Sequence, residues 1–192
     1  MELNLQEQDL RLAIGDVLAL ARDELTMRRV ALEARISREP LMANVDADLL
    51  KQAALNVIQN GAQAMPDGGR LEVVLEEERG SATGAPSARG NSMERARAAP
   101  RFAVLRIADE GPGISEEIRE KIFDLYFTTK SGGSGIGLAM TYRILQLHHG
   151  SVEVQSIEGH GAEFRLRIPL TAEKVRRAIE PASVESGTEF GR

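Results

Sequence analysis

Residues 47–65 carry an apolar period that restricts the possible folds more than any other part of the sequence. The apolar positions are Leu50, Ala54, Val57, Ile58 and Ala62. Spacings of three and four residues give a helix one apolar face, which has to be buried against another element. Asp46 directly precedes the segment and is a suitable N-cap. The segment therefore predicts a helix that packs on a sheet, with Asn56 and Asn60 on its opposite face.

The segments around this helix predict a mixture of helices and strands. The predicted helices are 6–27, 47–65, 115–123 and 134–148. The predicted strands are 30–36, the segment from Leu71, 102–108, 151–157 and 162–168. Ser115 is the expected N-cap of the short helix, and Gly150 is the expected left-handed residue that ends the last one. This order predicts an α+β two-layer sandwich, in which helices cover one face of a mixed, mostly antiparallel sheet.

Composition narrows the classes of function that the chain can have. With 192 residues it suits one domain, and without cysteine it has no disulfide, zinc-thiolate site or thiol nucleophile. A net charge of −5 and 4% aromatic residues argue against a nucleic-acid binder. No apolar run reaches the roughly 18–20 residues that span a bilayer, and the N-terminal residues lack a signal-peptide pattern. We therefore expect a cytoplasmic domain that makes no membrane contact.

Two segments interrupt the apolar pattern. Residues 78–101 are rich in Gly, Ala, Ser, Pro and Arg, and they predict a flexible insertion between two strands. This insertion is either a disordered loop or a basic docking segment for an acidic partner. Residues 171–192 form a polar tail, which is expected to be disordered or a linker. The folded domain is thus predicted to occupy residues 1–170.

Asn56 and Asn60 lie four residues apart, so they project from the same side of the predicted helix. Two amide oxygens on one stripe suit Mg²⁺, which is usually held by few protein ligands together with substrate phosphates. Two surface amides without a ligand are the alternative. The helix alone does not decide between these two interpretations.

Asp109 follows a predicted strand and opens the motif DEGPGI. A carboxylate at a strand end can accept a hydrogen bond from the exocyclic amino group of adenine, whereas the carbonyl of guanine would be repelled. Gly111 and Gly113 would let the backbone approach a flat base closely. An ordinary Gly-Pro-Gly turn is the alternative.

A glycine-rich segment, GGSGIGL at 132–138, precedes the last predicted helix. Exposed N–H groups at the start of a helix bind phosphate, and glycines let the chain wrap around it. The spacing is neither that of a Walker-type P-loop nor that of a Rossmann fingerprint. A flexible loop before a helix is the alternative.

In combination, these motifs resemble a known family. The order Asn-x-x-x-Asn, Asp-x-Gly-x-Gly, IFDLYFTTK and Gly-x-Gly-x-Gly is similar to that of the ATP-binding catalytic domain of bacterial sensor histidine kinases. That domain has the Bergerat fold, which gyrase, Hsp-type chaperones and mismatch-repair ATPases share. The resemblance covers about residues 1–170 and includes a closing Gly-x-Gly-x-x-Phe hairpin at Gly159, Gly161 and Phe164.

The resemblance implies a site for ATP and Mg²⁺. Asn60 would be the magnesium ligand, Asp109 would read adenine, and Phe123 and Phe127 match the phenylalanine box of the family. The cofactor-binding residues that the resemblance implies are Asn56, Asn60, Asp109, Gly111, Gly113, Ile114, Phe127, Thr128, Thr129, Lys130, Gly133, Ser134, Gly135, Ile136, Gly137 and Leu138.

Asn56 indicates which reaction of this superfamily the chain performs. Its hydrolysing ATPases and its anti-sigma serine kinases carry Glu four residues before the magnesium asparagine, as the general base. An amide cannot accept a proton at neutral pH, so the sequence favours phosphoryl transfer to histidine over ATP hydrolysis. Catalysis would rest on positioning and charge neutralisation, with Asn56 and Lys130 as the catalytic residues. A nucleotide-gated, anti-sigma-like serine kinase or protein-binding switch is the alternative.

The chain also departs from the family pattern. Its three histidines are His148, His149 and His160. None is followed by an acidic residue, as a phosphoacceptor would be, and Gln63 stands where a basic residue often follows the asparagine box. The expected partners are therefore a separate phosphoacceptor and dimerisation domain and, indirectly, a response regulator. The chain is expected to be the catalytic part of a larger kinase or of a split one.

Overall fold

The structure is a computed structural model that describes residues 3–80, 100–130 and 133–171. Its helices are α1 (Leu10–Met27), α2 (Ala47–Ala64), α3 (Glu116–Arg119) and α4 (Gly137–Leu147). Its strands are β1 (Gln6–Asp9), β2 (Val30–Ile36), β3 (Met42–Val45), β4 (Gly69–Arg79), β5 (Arg101–Asp109), β6 (Ser151–Ser156) and β7 (Ala162–Pro169). The two predicted segments that interrupt the apolar pattern fall mostly outside the described residues, which omit 81–99 and 172–192.

Five strands form one sheet in the order β2-β4-β5-β7-β6. The pair β2–β4 is parallel, and the other three pairs are antiparallel. The chain needs α2 to connect the parallel pair, because parallel strands require a long crossover connection. The predicted α+β sandwich with a mostly antiparallel sheet is confirmed.

The core lies between the sheet and the layer formed by α1, α2 and α4. The apolar face predicted for α2 is no more than 1% exposed at Leu50, Ala54, Val57, Ile58 and Ala62. Asp46 is the N-cap of this helix, as predicted, and its carboxylate accepts a hydrogen bond from the N–H of Leu49 at 3.2 Å. This burial holds α2 in a fixed position over β5 and therefore fixes where its polar face points.

Charged side chains cover the other face of the sheet. Arg106 pairs with Glu163 at 2.9 Å, and Arg167 pairs with Glu78 at 2.9 Å. The guanidinium of Arg167 also lies 4.8 Å from the ring centre of Phe102. Long arginine stems cover apolar atoms while their charged ends stay in water, so this face needs no second layer of helices.

The predicted helix over residues 6–27 is wrong for its first four residues, because β1 pairs with β3 there. Asp9 ends the strand and caps α1, since its carboxylate accepts a hydrogen bond from the N–H of Arg11. The sequence also gave no indication of β3. Gln and Glu favour helices in isolation, and only pairing with a distant strand overrides that preference.

Two other helices are shorter than predicted. The predicted 115–123 helix is regular only over α3, since hydrogen bonds such as that from Lys121 N to Ile118 O continue it as tight turns. Ser115 occupies the N-cap position but makes no capping hydrogen bond with its side chain. The predicted 134–148 helix begins at Gly137, because Gly135 has φ +65° and cannot belong to a right-handed helix.

The end of α4 differs from the prediction by one residue. The left-handed residue is His149, with φ +54°, and not Gly150. The N–H of Gly150 donates to Leu145 O, and the N–H of His149 donates to Gln146 O, which together form a Schellman motif. Gly150 is needed for a different reason, because a Cβ there would collide with the carbonyl oxygen of Arg167.

The predicted bounds of the insertion, 78–101, are wrong at both ends, because Glu78 and Arg79 belong to β4 and Arg101 belongs to β5. Glu78 pairs with Phe102, and Arg79 pairs with Arg101. The ladder therefore continues to the edge of the described residues. Among the helices that the structure describes, none combines the length and hydropathy needed to cross a bilayer.

A buried histidine connects the end of α4 to the start of α2. His148 is 4% exposed, and its Nε2 accepts a hydrogen bond of 2.9 Å from the N–H of Asp46. Its Nδ1 lies 2.7 Å from Ile144 O, so the neutral ring with the proton on Nδ1 satisfies both contacts. Both ring nitrogens are thus occupied within the core.

We expect His148→Phe to lower the free energy of unfolding by about 1–3 kcal/mol, because the phenyl ring leaves the N–H of Asp46 without an acceptor. Urea denaturation monitored by circular dichroism measures this change. His160→Phe is the matched control, since His160 is exposed. Equal stability of the two variants would show that the bond between the helices contributes nothing.

Candidate functional site

A cavity of about 1070 Å³ opens between α2, the end of β5 and the segment that precedes α4. It is lined by every residue of the predicted site except Gly111 and Ile136. The structure therefore brings together motifs that are up to 82 positions apart, from Asn56 to Leu138. The remaining walls come from Arg28 at the end of α1 and from apolar side chains such as Ile122 and Phe164.

The polar face of α2 forms one wall of this cavity. Asn56 donates a hydrogen bond from Nδ2 to Gly137 O at 3.2 Å. This bond fixes the amide against the first residue of α4 and leaves Asn56 Oδ1 as the available polar atom. A Cβ on Gly137 would lie 3.7 Å from Asn56 Cγ, which is ordinary contact, so close packing does not require glycine at this position.

Lys130 reaches across the cavity to α2. Its Nζ donates to Asn60 Oδ1 at 3.1 Å and to Gln63 Oε1 at 2.9 Å. Partial burial lowers the pKa of Lys130, the positive charge of Arg28 lowers it further, and the carboxylate of Asp109 opposes both effects. A cationic group thus already lies against the amide oxygen that the sequence predicts to bind a metal ion.

Asp109 is the only carboxylate among the described residues that line the cavity. Its Oδ1 accepts a hydrogen bond of 2.9 Å from the N–H of Gly111. Burial raises the pKa of Asp109, whereas hydrogen bonds from the backbone of Gly111 and Ala162 and the charge of Lys130 lower it. Because the net shift is upward, the ionised carboxylate lacks full compensation for its lost water.

Glycines near Asp109 are required by close packing within the protein. A Cβ on Gly61 would lie 2.8 Å from Leu71 Cδ1 and 3.3 Å from Asp109 Cβ. A Cβ on Gly111 would lie 2.9 Å from the Cβ of Ala64, so Gly111 packs against α2 and does not face the cavity. These two positions let the end of β5 approach the polar side of α2.

Two further glycines shape the loops around the cavity through their backbone conformation. Gly113 has φ +73° and Gly135 has φ +65°, both in the left-handed region that favours glycine. A Cβ on Gly113 would collide with Ile157 O, and one on Gly135 would collide with the backbone of Tyr126. The N–H of Tyr126 also donates to Gly135 O at 3.0 Å, which joins the phenylalanine box to the glycine-rich segment.

Sequence reasoning missed several residues of the cavity. Arg28 belongs to no motif of the sequence, and Gln59 occupies one of the unspecified positions of the Asn-x-x-x-Asn motif. Ala162 and Phe164 belong to a hairpin whose position at the site only the fold reveals. Ile118 and Ile122, from the predicted 115–123 helix, also line the cavity. Phe123 is not among the lining residues; its ring contacts that of Tyr142 at 5.9 Å between centroids. A helical projection of α2 identifies Gln59, because it neighbours Asn56 and Asn60.

The residues of the cavity fit a metal ion that takes most of its coordinating oxygens from a bound molecule and from water. The described residues contain no group of three or more His, Cys, Asp or Glu side chains that could hold a metal ion. Asn60 nevertheless presents Oδ1 toward the ammonium group of Lys130, so this oxygen is oriented to receive a cation. A single amide ligand suits Mg²⁺ that takes its other oxygens from phosphate and water.

The matching family model is described as the histidine kinase-, DNA gyrase B-, and HSP90-like ATPase, and it covers residues 45–172. The chain belongs to this ATP-binding family. The signal transduction histidine-protein kinase AtoS of Escherichia coli (strain K12) is 30% identical over 165 residues, which are 86% of this chain and 24% of AtoS. Sporulation kinase A of Bacillus subtilis (strain 168) is 27% identical over 161 residues, covering 84% of this chain and 23% of that kinase.

Solved structures of histidine kinases have the same fold. The catalytic domain of the histidine kinase ThkA is 26% identical and superimposes with a TM-score of 0.68, covering 91% of this chain and 99% of that chain. The chain thus spans about a quarter of the length of the two curated relatives and nearly all of one isolated catalytic domain. The prediction of a histidine-kinase-type ATP-binding catalytic domain is confirmed.

The raised pKa of Asp109 has a consequence for stability. A group whose pKa is higher in the folded state lowers the free energy of unfolding at pH values above both pKa values, and this cost disappears below the unfolded value of about 4. We therefore expect nucleotide-free Asp109→Asn to be at least as stable as the wild type at pH 7, with the difference shrinking toward pH 4. Urea denaturation at several pH values measures this, with exposed Asp67→Asn as the control. A variant that is less stable at pH 7 would contradict the expectation.

Proposed function

We propose that this domain binds Mg-ATP and transfers the γ-phosphoryl group to a histidine on a separate phosphoacceptor and dimerisation domain in two-component signalling. Its family membership and the histidine kinases that it matches support this function. The domain occupies residues 1–170 in this proposal. It acts in the cytoplasm, where ATP is available, and a response regulator receives the phosphoryl group afterwards.

In this proposal Asp109 recognises adenine. The hydrogen bond from Gly111 occupies Oδ1, and Oδ2 is the oxygen that accepts from the exocyclic amino group of the base. The apolar side chains of Ile114 and Phe127 line the same cavity and exclude water from the base. Asp109→Asn should therefore lose about 2 kcal/mol of ATP binding, or roughly 30-fold in affinity, by calorimetry. Equal binding of GTP by the wild type would contradict the assignment.

Asn60 holds the magnesium ion in this proposal, and the loop before α4 holds the phosphates. Bound Mg²⁺ would neutralise phosphate charge and orient the γ-phosphoryl group. Lys130 has to leave Asn60 Oδ1 when a metal binds there, and its Nζ is then available for a phosphate oxygen. Gly133, Ser134 and Gly135 line the cavity beside it. The N–H of Gly133 donates to Lys130 O, so the backbone N–H groups of Ser134 and Gly135 are the ones offered to the phosphates.

The observation that carries the choice of reaction is the environment of Asn56. Its Nδ2 is engaged with Gly137 O, and its Oδ1 cannot take a proton from water at neutral pH. Asp109 contacts α2 at Gly61, five residues along the helix, which corresponds to about 7.5 Å along its axis. The described residues of the site therefore offer positioning and charge but no general base beside Asn56, which suits a histidine acceptor that brings its own nucleophilic nitrogen.

The acceptor histidine has to come from another domain. His148 is buried with both ring nitrogens engaged, and His149 occupies the left-handed position after α4. His160 is exposed in the β6–β7 connection, where its Nδ1 lies 3.2 Å from Glu158 O. His148 therefore has no nitrogen free to attack a phosphoryl group, and neither of the other two lines the cavity.

The test of the function uses radiolabelled ATP. We expect the chain alone to bind ATP without labelling itself and with little release of phosphate. Joined to the dimerisation hairpin of a histidine kinase, in place of that kinase's own catalytic domain, it should label the hairpin in an acid-labile linkage. The control is the same fusion with the acceptor His changed to Gln. Acid-stable label on Ser or Thr would favour the serine-kinase alternative, and rapid phosphate release would favour a hydrolase.

Asn60→Ala separates the metal ligand from the rest of the site. We expect this variant to weaken Mg-ATP at least tenfold while changing adenosine affinity less than about twofold, because adenosine has no phosphate to share the ion. Calorimetry with and without Mg²⁺ measures both affinities. Gln52→Ala on the exposed side of α2 is the matched control. Equal losses for both ligands would indicate a packing defect and count against the assignment.

A further inference from the structure

Arg28 reaches the cavity from outside every motif that defines the site. It follows α1 directly, 32 positions before Asn60, and it lines the same cavity as Asn60, Gln63 and Lys130. The sequence around it resembles no binding motif. Its place at the site arises from the packing of the C-terminal end of α1 beside α2.

Hydrogen bonds among side chains of α1 and α2 hold the side chain of Arg28 in place. Its Nε donates to Glu24 Oε1 at 3.1 Å, one turn earlier in α1. Glu24 in turn accepts a hydrogen bond from Gln59 Nε2 through its other oxygen, at 3.0 Å. This chain of contacts ties the guanidinium to α2. Within the described part of the chain, the two terminal nitrogens of Arg28 make no hydrogen bond.

These contacts place Arg28 beside the row of α2 that carries Gln63. Gln59 and Gln63 are four residues apart and form one row, adjacent to the row of Asn56 and Asn60. Gln63 is neutral, and its side-chain oxygen accepts a hydrogen bond from Lys130. The polar side chains of α2 that line the cavity are thus uncharged amides. Among the described lining residues, the positive charges are those of Arg28 and Lys130.

The two cations repel each other across the cavity in the absence of an anion. Both side chains line the same cavity, and each carries a positive charge. Asp109 is the one carboxylate among the described lining residues, and burial makes its own ionised form unfavourable. A polyanion bound between Arg28 and Lys130 would relieve this repulsion.

We infer that Arg28 is a phosphate-binding residue of this site, whose terminal guanidinium nitrogens contact the phosphate chain of ATP and supply the charge that position 63 lacks. The inference rests on the proposed nucleotide-binding function. Glu24 and Gln59 act as positioning residues, because they hold Arg28 through its Nε and leave the outer edge of the guanidinium for the ligand. A guanidinium suits this task, since its planar fork can hold two phosphate oxygens at once.

The test compares ligands that differ in phosphate. Calorimetry in Mg²⁺ buffer gives the affinities of the wild type, Arg28→Gln and Arg29→Gln for ATP and for adenosine. Arg29 is the matched control, because it is adjacent, exposed and absent from the cavity lining, and its loss changes the net charge equally. We expect Arg28→Gln to weaken ATP at least tenfold and adenosine less than about twofold, while Arg29→Gln changes ATP affinity less than about threefold.

A second variant distinguishes a missing charge from a disturbed helix end. Gln63→Lys in the Arg28→Gln background restores a cation to the same side of the cavity from α2, so we expect it to recover most of the ATP affinity. An ATP affinity of Arg28→Gln within about twofold of the wild type would overturn the inference. So would equal losses for ATP and adenosine, equal effects of the Arg28 and Arg29 variants, or no recovery in the double variant. A wild type that binds no ATP would instead overturn the proposed function.

Discussion

Burial of the apolar face of α2 is the interaction on which the rest of the site depends. Because this face is sealed against the sheet, the opposite face must point into the cavity, where it presents Asn56 and Asn60. Gly61 then allows the end of β5 to approach the helix so closely that Asp109 lies on the same side. The burial of this apolar face thus sets the distance between the carboxylate of Asp109 and the amides of Asn56 and Asn60.

Much of the fold could be predicted because its signals are local. The apolar period of α2, the strand at 162–168 and the N-cap Asp46 each follow from residues close together in sequence, and the structure confirms them. β1 could not be predicted in this way, because its partner β3 lies more than 30 positions away and its own residues favour a helix. The end of α4 was misassigned because glycine usually takes the left-handed position, whereas here His149 takes it and Gly150 is needed by a neighbouring strand.

The candidate site could be predicted only where motifs mark it. Residues inside the asparagine, aspartate and glycine motifs could be named from their spacing, and nearly all of them line the cavity. Arg28 could not, since its position depends on where α1 ends relative to α2. A family pattern shows which positions usually carry the functional residues. It does not show when a residue from another element of the fold takes over the role of one of those positions. Gln63 was the available clue, because a neutral residue at a usually basic position raises the question of where the charge comes from.

Three polar contacts join α4 to α2, counting the residues that cap the two helices. They lie at three different positions along the helix pair. Asn56 binds Gly137 O at one end, Thr141 Oγ1 lies 3.4 Å from Ala53 O in the middle, and His148 accepts from Asp46 at the other end. Sliding one helix along the other would break all three at once, so the pair moves as one body. Each contact joins a side chain from one side of the pair to a backbone group on the other. In a chimera that takes α2 from one kinase and α4 from another, the fit of the pair therefore depends on whether the donors supply the side chains of Asn56, Thr141 and His148, and not on the residues that they contact.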